Sequence, residues 1–269
     1  MALGRIGEEI GEGISGVLRG AGDVVGTGIE VTRNTMVTTL QGVRDVSAEI
    51  GGLATDAVSG AVNAATQVGT GVARAAKGTV VGVIRAVGEV TTVTAGVLSD
   101  TVQAAIKGTA AIGGDVNRAA RGAAEGAMST TKEVGVSLED GARSVAEGAV
   151  RGAQETGSDF ATIAQNTVYG AIIGTTEIGG NAWVTIELTT QGLVRGAGNT
   201  GADIAAVARG AVEGAIGGAV EAGLDAQEAS SIAATSAVDA AIEISQEAAE
   251  KVTTSVTGTI EGIEVKLKS

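Results

Sequence analysis

The stretch IKGTAAIGGDVNRAARGAA at 106–124 falls on VRGAGNTGADIAAVARGAV at 194–212, an offset of 88 residues. That offset divides further. Units beginning at Leu18, Val62, Ile106, Val150, Val194 and Val238 are spaced by 44, and half-units beginning at Leu40, Ile84, Met128, Ile172, Ile216 and Ile260 reduce the repeat to 22 residues. Self-similarity at a fixed period marks a repeat architecture, in which each unit buries its apolar face against its neighbours. The whole chain, 1–269, reads as one repeat domain, with residues 1–17 forming a partial unit in the same register.

Within the 22-residue unit the first position is always Leu, Val, Ile or Met, and further small or branched apolar residues favour positions 4, 7, 11, 15, 18 and 22. Charges gather on a second stripe, with Arg19, Arg85, Lys107, Arg151 and Arg195 at position 2, Arg33, Lys77, Arg121, Arg143 and Arg209 at position 16, and Asp23, Asp45, Glu89, Glu133, Glu155, Glu177 and Glu221 at position 6. Both stripes advance by about 3.67 residues, which is 11 residues in three turns of an α-helix. The pattern predicts an all-α protein of long amphipathic helices with an 11/22-residue repeat. Unbroken phase favours long segments over many hairpins, because loops normally shift a register. Gly-Gly pairs at 51–52, 113–114, 179–180 and 217–218 are the candidate bends. A right-handed coiled coil or an elongated helical bundle is the alternative architecture.

Glycine occurs 44 times in this chain of 269 residues. Each glycine inside a helix costs roughly 1 kcal/mol relative to alanine, so propensity alone does not sustain these helices and burial against another surface must. The placement of the small residues points to that surface. Position 21 of one unit and position 3 of the next form small-xxx-small pairs: Gly16/Gly20, Gly60/Ala64, Gly82/Ala86, Gly148/Gly152, Gly170/Gly174, Gly192/Gly196, Gly214/Gly218 and Gly258/Gly262. Small residues at i and i+4 share one flank of a helix and let two backbones approach closely. These sixteen residues are the expected helix–helix contacts.

Composition removes most catalytic chemistry. The chain has no His, Cys or Pro, which excludes thiolate and imidazole metal sites, disulfides and every nucleophile–His triad. Gly11–Gly16 and Gly196–Gly201 satisfy G-x-G-x-x-G, but neither follows a convincing strand as a dinucleotide site requires. The carboxylates are spread along a solvated stripe. No catalytic, cofactor-binding or metal-ligating residue is assigned, and the expectation is a non-enzyme. A net charge of −13 opposes binding to nucleic acid or anionic lipid. Phe160, Tyr169 and Trp183 are the only aromatics, and read as packing residues or as an interfacial anchor. The terminal EVKLKS reads as a frayed end.

The segment GAVNAATQVGTGVARAAKGTVVGV at 60–83, with its Thr/Val/Ala/Gly helix pattern in 11-residue steps, resembles the repeat regions of perilipins, synucleins and group 3 late-embryogenesis proteins. The resemblance lies in composition and period. It implies amphipathic helices that order on a lipid surface or during drying. Glutamates stand where a secretory signal needs its apolar segment, and the longest uncharged runs, 57–73 and 160–176, are 17 residues each, short of the about 20 a spanning helix needs. The sequence therefore points to a cytoplasmic, non-catalytic structural protein. Its helices are expected to self-assemble side by side into a coat, sheet or tube wall, with other copies of the chain and a neutral lipid surface as partners. A soluble oligomeric helical rod or coiled-coil interaction module is the alternative.

Overall fold

A computed structural model describes residues 24–41, 46–67 and 71–268. Among them are eleven helices: α1 (Val24–Leu40), α2 (Val46–Gln67), α3 (Val72–Val90), α4 (Ala95–Ala111), α5 (Val116–Val134), α6 (Leu138–Thr156), α7 (Phe160–Glu177), α8 (Ala182–Thr200), α9 (Ile204–Ala222), α10 (Ala226–Ile244) and α11 (Gln246–Val256). Two short strands, β1 (Gly258–Ile260) and β2 (Ile263–Val265), form an antiparallel hairpin at the carboxyl end. The protein is all-α apart from this hairpin, which occupies residues that the repeat register assigns to helix.

Helices α5 to α10 begin at Val116, Leu138, Phe160, Ala182, Ile204 and Ala226, each 22 residues after the last. One unit is therefore one helix plus one tight reversal, and the expectation of long uninterrupted helices is corrected. The chain reverses without losing phase because every reversal consumes the same number of residues. Gly113, Gly135, Gly157, Gly179, Gly201 and Gly223 all take positive φ, between 66° and 75°. This left-handed conformation costs a residue with a Cβ roughly 1 kcal/mol or more. Around each glycine an amide reaches back five residues to a helix carbonyl, as Val136 N does to Thr131 O at 3.0 Å and Leu224 N to Ala219 O at 2.8 Å. Those bonds satisfy the orphan carbonyls at a helix end.

Two residues beyond each of these glycines stands the residue that starts the next helix. Asp115, Ser137, Asp159, Asn181, Asp203 and Asp225 each accept a hydrogen bond from a first-turn amide, for example Thr162 N to Asp159 Oδ1 at 2.7 Å. Of the four Gly-Gly pairs, 113–114 and 179–180 sit in reversals, whereas 51–52 and 217–218 lie inside α2 and α9.

Through most of the chain a helix packs most extensively on the helix two places along, not on its sequence neighbour. The result is two layers, α1, α3, α5, α7, α9 and α11 in one and α2, α4, α6, α8 and α10 in the other, with parallel helices within each layer. The core between and within the layers is mostly Ala, Val and Ile. Its bulkiest fully buried side chains include Met36, Leu98, Ile106, Met128 and Ile172. Such short side chains bring the layers close together and bury little area each, so the fold depends on the number of such contacts rather than on any single large one.

Candidate functional site: glycine seams and charge ladders

Helices of one layer meet along seams of glycine. An ideal Cβ built on Gly122, Gly170, Gly174, Gly210 or Gly214 would collide with the backbone carbonyl oxygen of Ala73, Arg121, Glu125, Ala161 or Gln165, respectively. A Cβ on Gly148 would strike Ser99 O, and one on Gly126 would stand 2.8 Å from Lys77 O. Each glycine lies 49 residues after the carbonyl it faces, so the seam repeats identically across the layer. With no side chain between them the helices approach to backbone contact, which maximises dispersion contacts. Glycine is required here for space, not for its dihedral freedom.

The residues expected at helix–helix contacts fall into four groups. Gly82, Gly148, Gly152, Gly170, Gly174, Gly192, Gly196, Gly214 and Gly218 each face the helix two places earlier in the same chain. Gly152 meets Ile106, Gly192 meets the Ala146 methyl, Gly196 meets Val150, and Gly218 meets Tyr169 and Ile172. Ala64 and Ala86 are buried, and Gly60 lies half-buried on α2. Gly16 and Gly20 lie outside the described residues. Gly258 and Gly262 correct the expectation: they flank the hairpin turn with φ of 94° and 81°, and nothing lies within 4 Å of a Cβ built on either. Past Ser245 the repeat register gives way to a short helix and a hairpin, so these two glycines serve a turn.

Gly122 and Gly210 are seam residues that the paired motif does not include. Their signal is present in the sequence as a third small residue one turn earlier, giving G-x-x-x-G-x-x-x-G at 210, 214 and 218.

Over the seams runs a ladder of charges. Glu89, Glu133, Glu177 and Glu221 stand near the carboxyl ends of α3, α5, α7 and α9, where the helix dipole disfavours an anion. A cation from an earlier helix of the same layer partners each one: Arg33 with Glu89 at 3.1 Å, Arg85 with Glu133 at 2.8 Å, Lys77 with Glu177 at 2.6 Å, and Arg121 with Glu221 at 3.0 Å. Lys77 also binds Glu125 at 2.9 Å, so one ammonium on α3 ties α5 and α7. The second layer repeats the device with Lys107–Glu155 at 3.1 Å and Arg195–Glu243 at 2.7 Å. Arg151 has Asn199 at the matching place, and turns instead to Asp100 at 2.7 Å.

Tyr169 is the one aromatic built into a ladder. The Arg121 guanidinium lies 3.7 Å from its ring centre, and its phenol donates to Glu221. That hydrogen bond, with help from Arg121, holds the Glu221 carboxyl below its ordinary range against the effect of burial, while burial raises the Tyr169 phenol. Phe160 and Trp183 are half-buried and pack against the core.

Asp56 breaks the pattern. It stands 44 residues before Asp100, yet its Oδ2 is buried without a hydrogen-bond partner, because Lys107 turns to Glu155. Burial raises its pKa.

The Gly196–Gly201 motif runs along the last turn of α8 into its left-handed Gly201, with helix rather than strand before it. A cleft of about 870 Å³ opens between Ala202–Ala205 and Ile244–Thr254, carrying Asp203, Glu247, Glu250 and Lys251. Among the described residues no group of three or more acidic side chains is arranged to hold a metal ion, and no helix is long and apolar enough to cross a membrane.

No family model and no curated protein matches the chain. Among solved structures it is similar to the crystal structure of the de novo designed helical repeat protein DHR7, at 23% identity and a TM-score of 0.40, over 59% of this chain and 90% of that one.

Proposed function

We propose that the protein is a non-catalytic helical-repeat scaffold: a two-layered stack whose charged outer faces hold a partner. The observation that carries this reading is the fate of the glycine edges. From Gly82 to Gly218 they face neighbouring helices within the chain, so the stack supports itself, and what it offers outward is a regular array of ion pairs. A solenoid of this kind presents an extended surface with a fixed spacing, the usual means by which repeat proteins bind. Circular dichroism and mass measurement in lipid-free buffer test it. Strong helicity with a defined small mass is the expected result; a chain that becomes helical only on lipid would remove it.

A second reading has copies of the chain associating side by side into a sheet, coat or tube wall, with a neutral lipid surface as support. It is favoured by the layers themselves, which are lateral arrays built on a contact that a further helix can repeat. Electron microscopy of the purified protein, alone and with neutral-lipid vesicles, is the test. Discrete particles in both conditions would exclude it.

A further inference from the structure

Interior helices receive the next helix of their layer at fixed places. In the first layer, α7 offers the Ala161 and Gln165 carbonyls to Gly210 and Gly214 of α9. In the second, α6 offers Ala146 and Val150 to Gly192 and Gly196 of α8. The corresponding places at the carboxyl edge of the stack are Ala205 and Arg209 on α9, 44 residues on, and Ala234 and Val238 on α10, 88 residues on. No further repeat follows in the chain, yet the edge is not bare.

Residues 246–268 lie over it. Ser255 Oγ donates to Ala205 O at 2.9 Å, taking the carbonyl whose counterpart on α7 faces a glycine. On α10, Ala234 is fully buried, Lys268 N donates to the adjoining Thr235 Oγ1 at 2.8 Å, and Gln227 donates to Glu264 O. Val252, Val256, Ile260 and Val265 turn inward and are buried. The segment itself departs from the repeat. Ser245 alone serves as C-cap of α10 and N-cap of α11, α11 is 11 residues long against 19 for α10, and the hairpin carries Glu261, Glu264, Lys266 and Lys268 where seam glycines would be needed to pass the contact on.

We propose that residues 246–269 are a self-masking cap, seated where the leading repeat of a second copy would otherwise stack on α9 and α10. The occupant follows from continuity: the edge beneath the cap carries the packing positions of the interior edges, and the chain opens with the same small pair, Gly16/Gly20, in the same 22-residue register. Cap closed, the stack ends in a polar hairpin; cap open, it accepts another chain head to tail. This rests on the side-by-side reading above and states what limits it.

The test uses the full chain. Val252→Asp with Val256→Asp places two charges under the cap, and light scattering, electron microscopy and circular dichroism follow the outcome. The expected result is concentration-dependent linear oligomers with helicity within about a tenth of wild type, abolished by adding Gly16→Leu and Gly20→Leu. Should the charged variant unfold, Ser255→Ala with Gln227→Ala removes only two polar ties, and is expected to assemble at roughly tenfold lower concentration than wild type. Folded variants no more assembled than wild type overturn the cap. If wild type grows into sheets with its cap in place, the cap alone fails and the side-by-side reading stands; if neither wild type nor variants assemble, both fail.

Discussion

Gly170 of α7 and the carbonyl oxygen of Arg121 on α5 are so close that a Cβ at 170 would overlap the oxygen. The listening partner of the seam is backbone, which cannot swing aside as a side chain can. Gly170→Ala is therefore expected to destabilise the fold by about 2–3 kcal/mol, the scale of overpacking in a tight core. Gly51 and Gly52 in α2 have nothing within 4 Å of a built Cβ. There the same substitution should stabilise by about 0.5–1 kcal/mol through helix propensity alone. Thermal melts of Gly170→Ala and Gly51→Ala check the opposite signs; equal effects would refute the seam argument.

Gly157 should be sensitive for a different reason. Its φ is 66° and nothing crowds it, so alanine meets no collision but must adopt a left-handed backbone. Gly157→Ala should cost about 1 kcal/mol, and Gly157→Asn less, since asparagine tolerates that region. Denaturant midpoints at unchanged m-value would show it.

Lys77 bridges three helices, and its side chain is only 18% exposed. Burial alone would lower its pKa, but hydrogen bonds to Glu177 and Glu125 outweigh that and raise it. A raised lysine contributes stability that is fully present below the unfolded value of 10.5 and is lost as pH climbs through the folded value. Lys77→Met should cost about 1–2 kcal/mol near neutral pH, leaving two carboxylates unpaired. The difference from wild type should shrink only in strongly alkaline solution, and a difference that vanishes already at about pH 9 would contradict the bridge.

Asp56 should behave in the opposite way. Burial raises its pKa above 3.8, so its charged form is disfavoured in the fold. Its favourable contribution is present only below the unfolded pKa and is lost as pH rises through the folded one. Asp56→Asn is accordingly expected to raise the melting temperature at neutral pH and to leave it nearly unchanged where the aspartate is already protonated. Melts across that range decide it.

In the terminal hairpin, Glu261 holds a φ of 48° beside Gly262 at 81°. Two successive positive values define the turn type that favours Asn-Gly. Glu261→Asn should relieve strain and stabilise the cap, slowing exchange of the β1 and β2 amides. Unchanged exchange would show that the turn does not limit cap opening.

Much of this architecture was legible in the residues and some of it was overlooked there. Helix, the 22-residue unit and the small-residue flank follow from periodicity, because side-chain direction on a helix is set by local geometry. The reversals were legible too, though not from Gly-Gly pairs: a glycine followed two residues later by Asp, Ser or Asn recurs at 113, 135, 157, 179, 201 and 223. Their constant length preserves the phase that otherwise suggests an unbroken helix.

By itself the sequence determined which face of each helix is small, which is apolar and which is charged, since these depend only on residue spacing and backbone geometry. Only the tertiary structure decided that Gly170 meets Arg121 of its own chain, that Lys77 reaches Glu177 across α5, and that residues past Ser245 fold back over the edge. Those outcomes rest on contacts between residues some 50 to 100 positions apart. Their energy depends on how two surfaces fit, and spacing along one chain segment carries no record of which surface arrives.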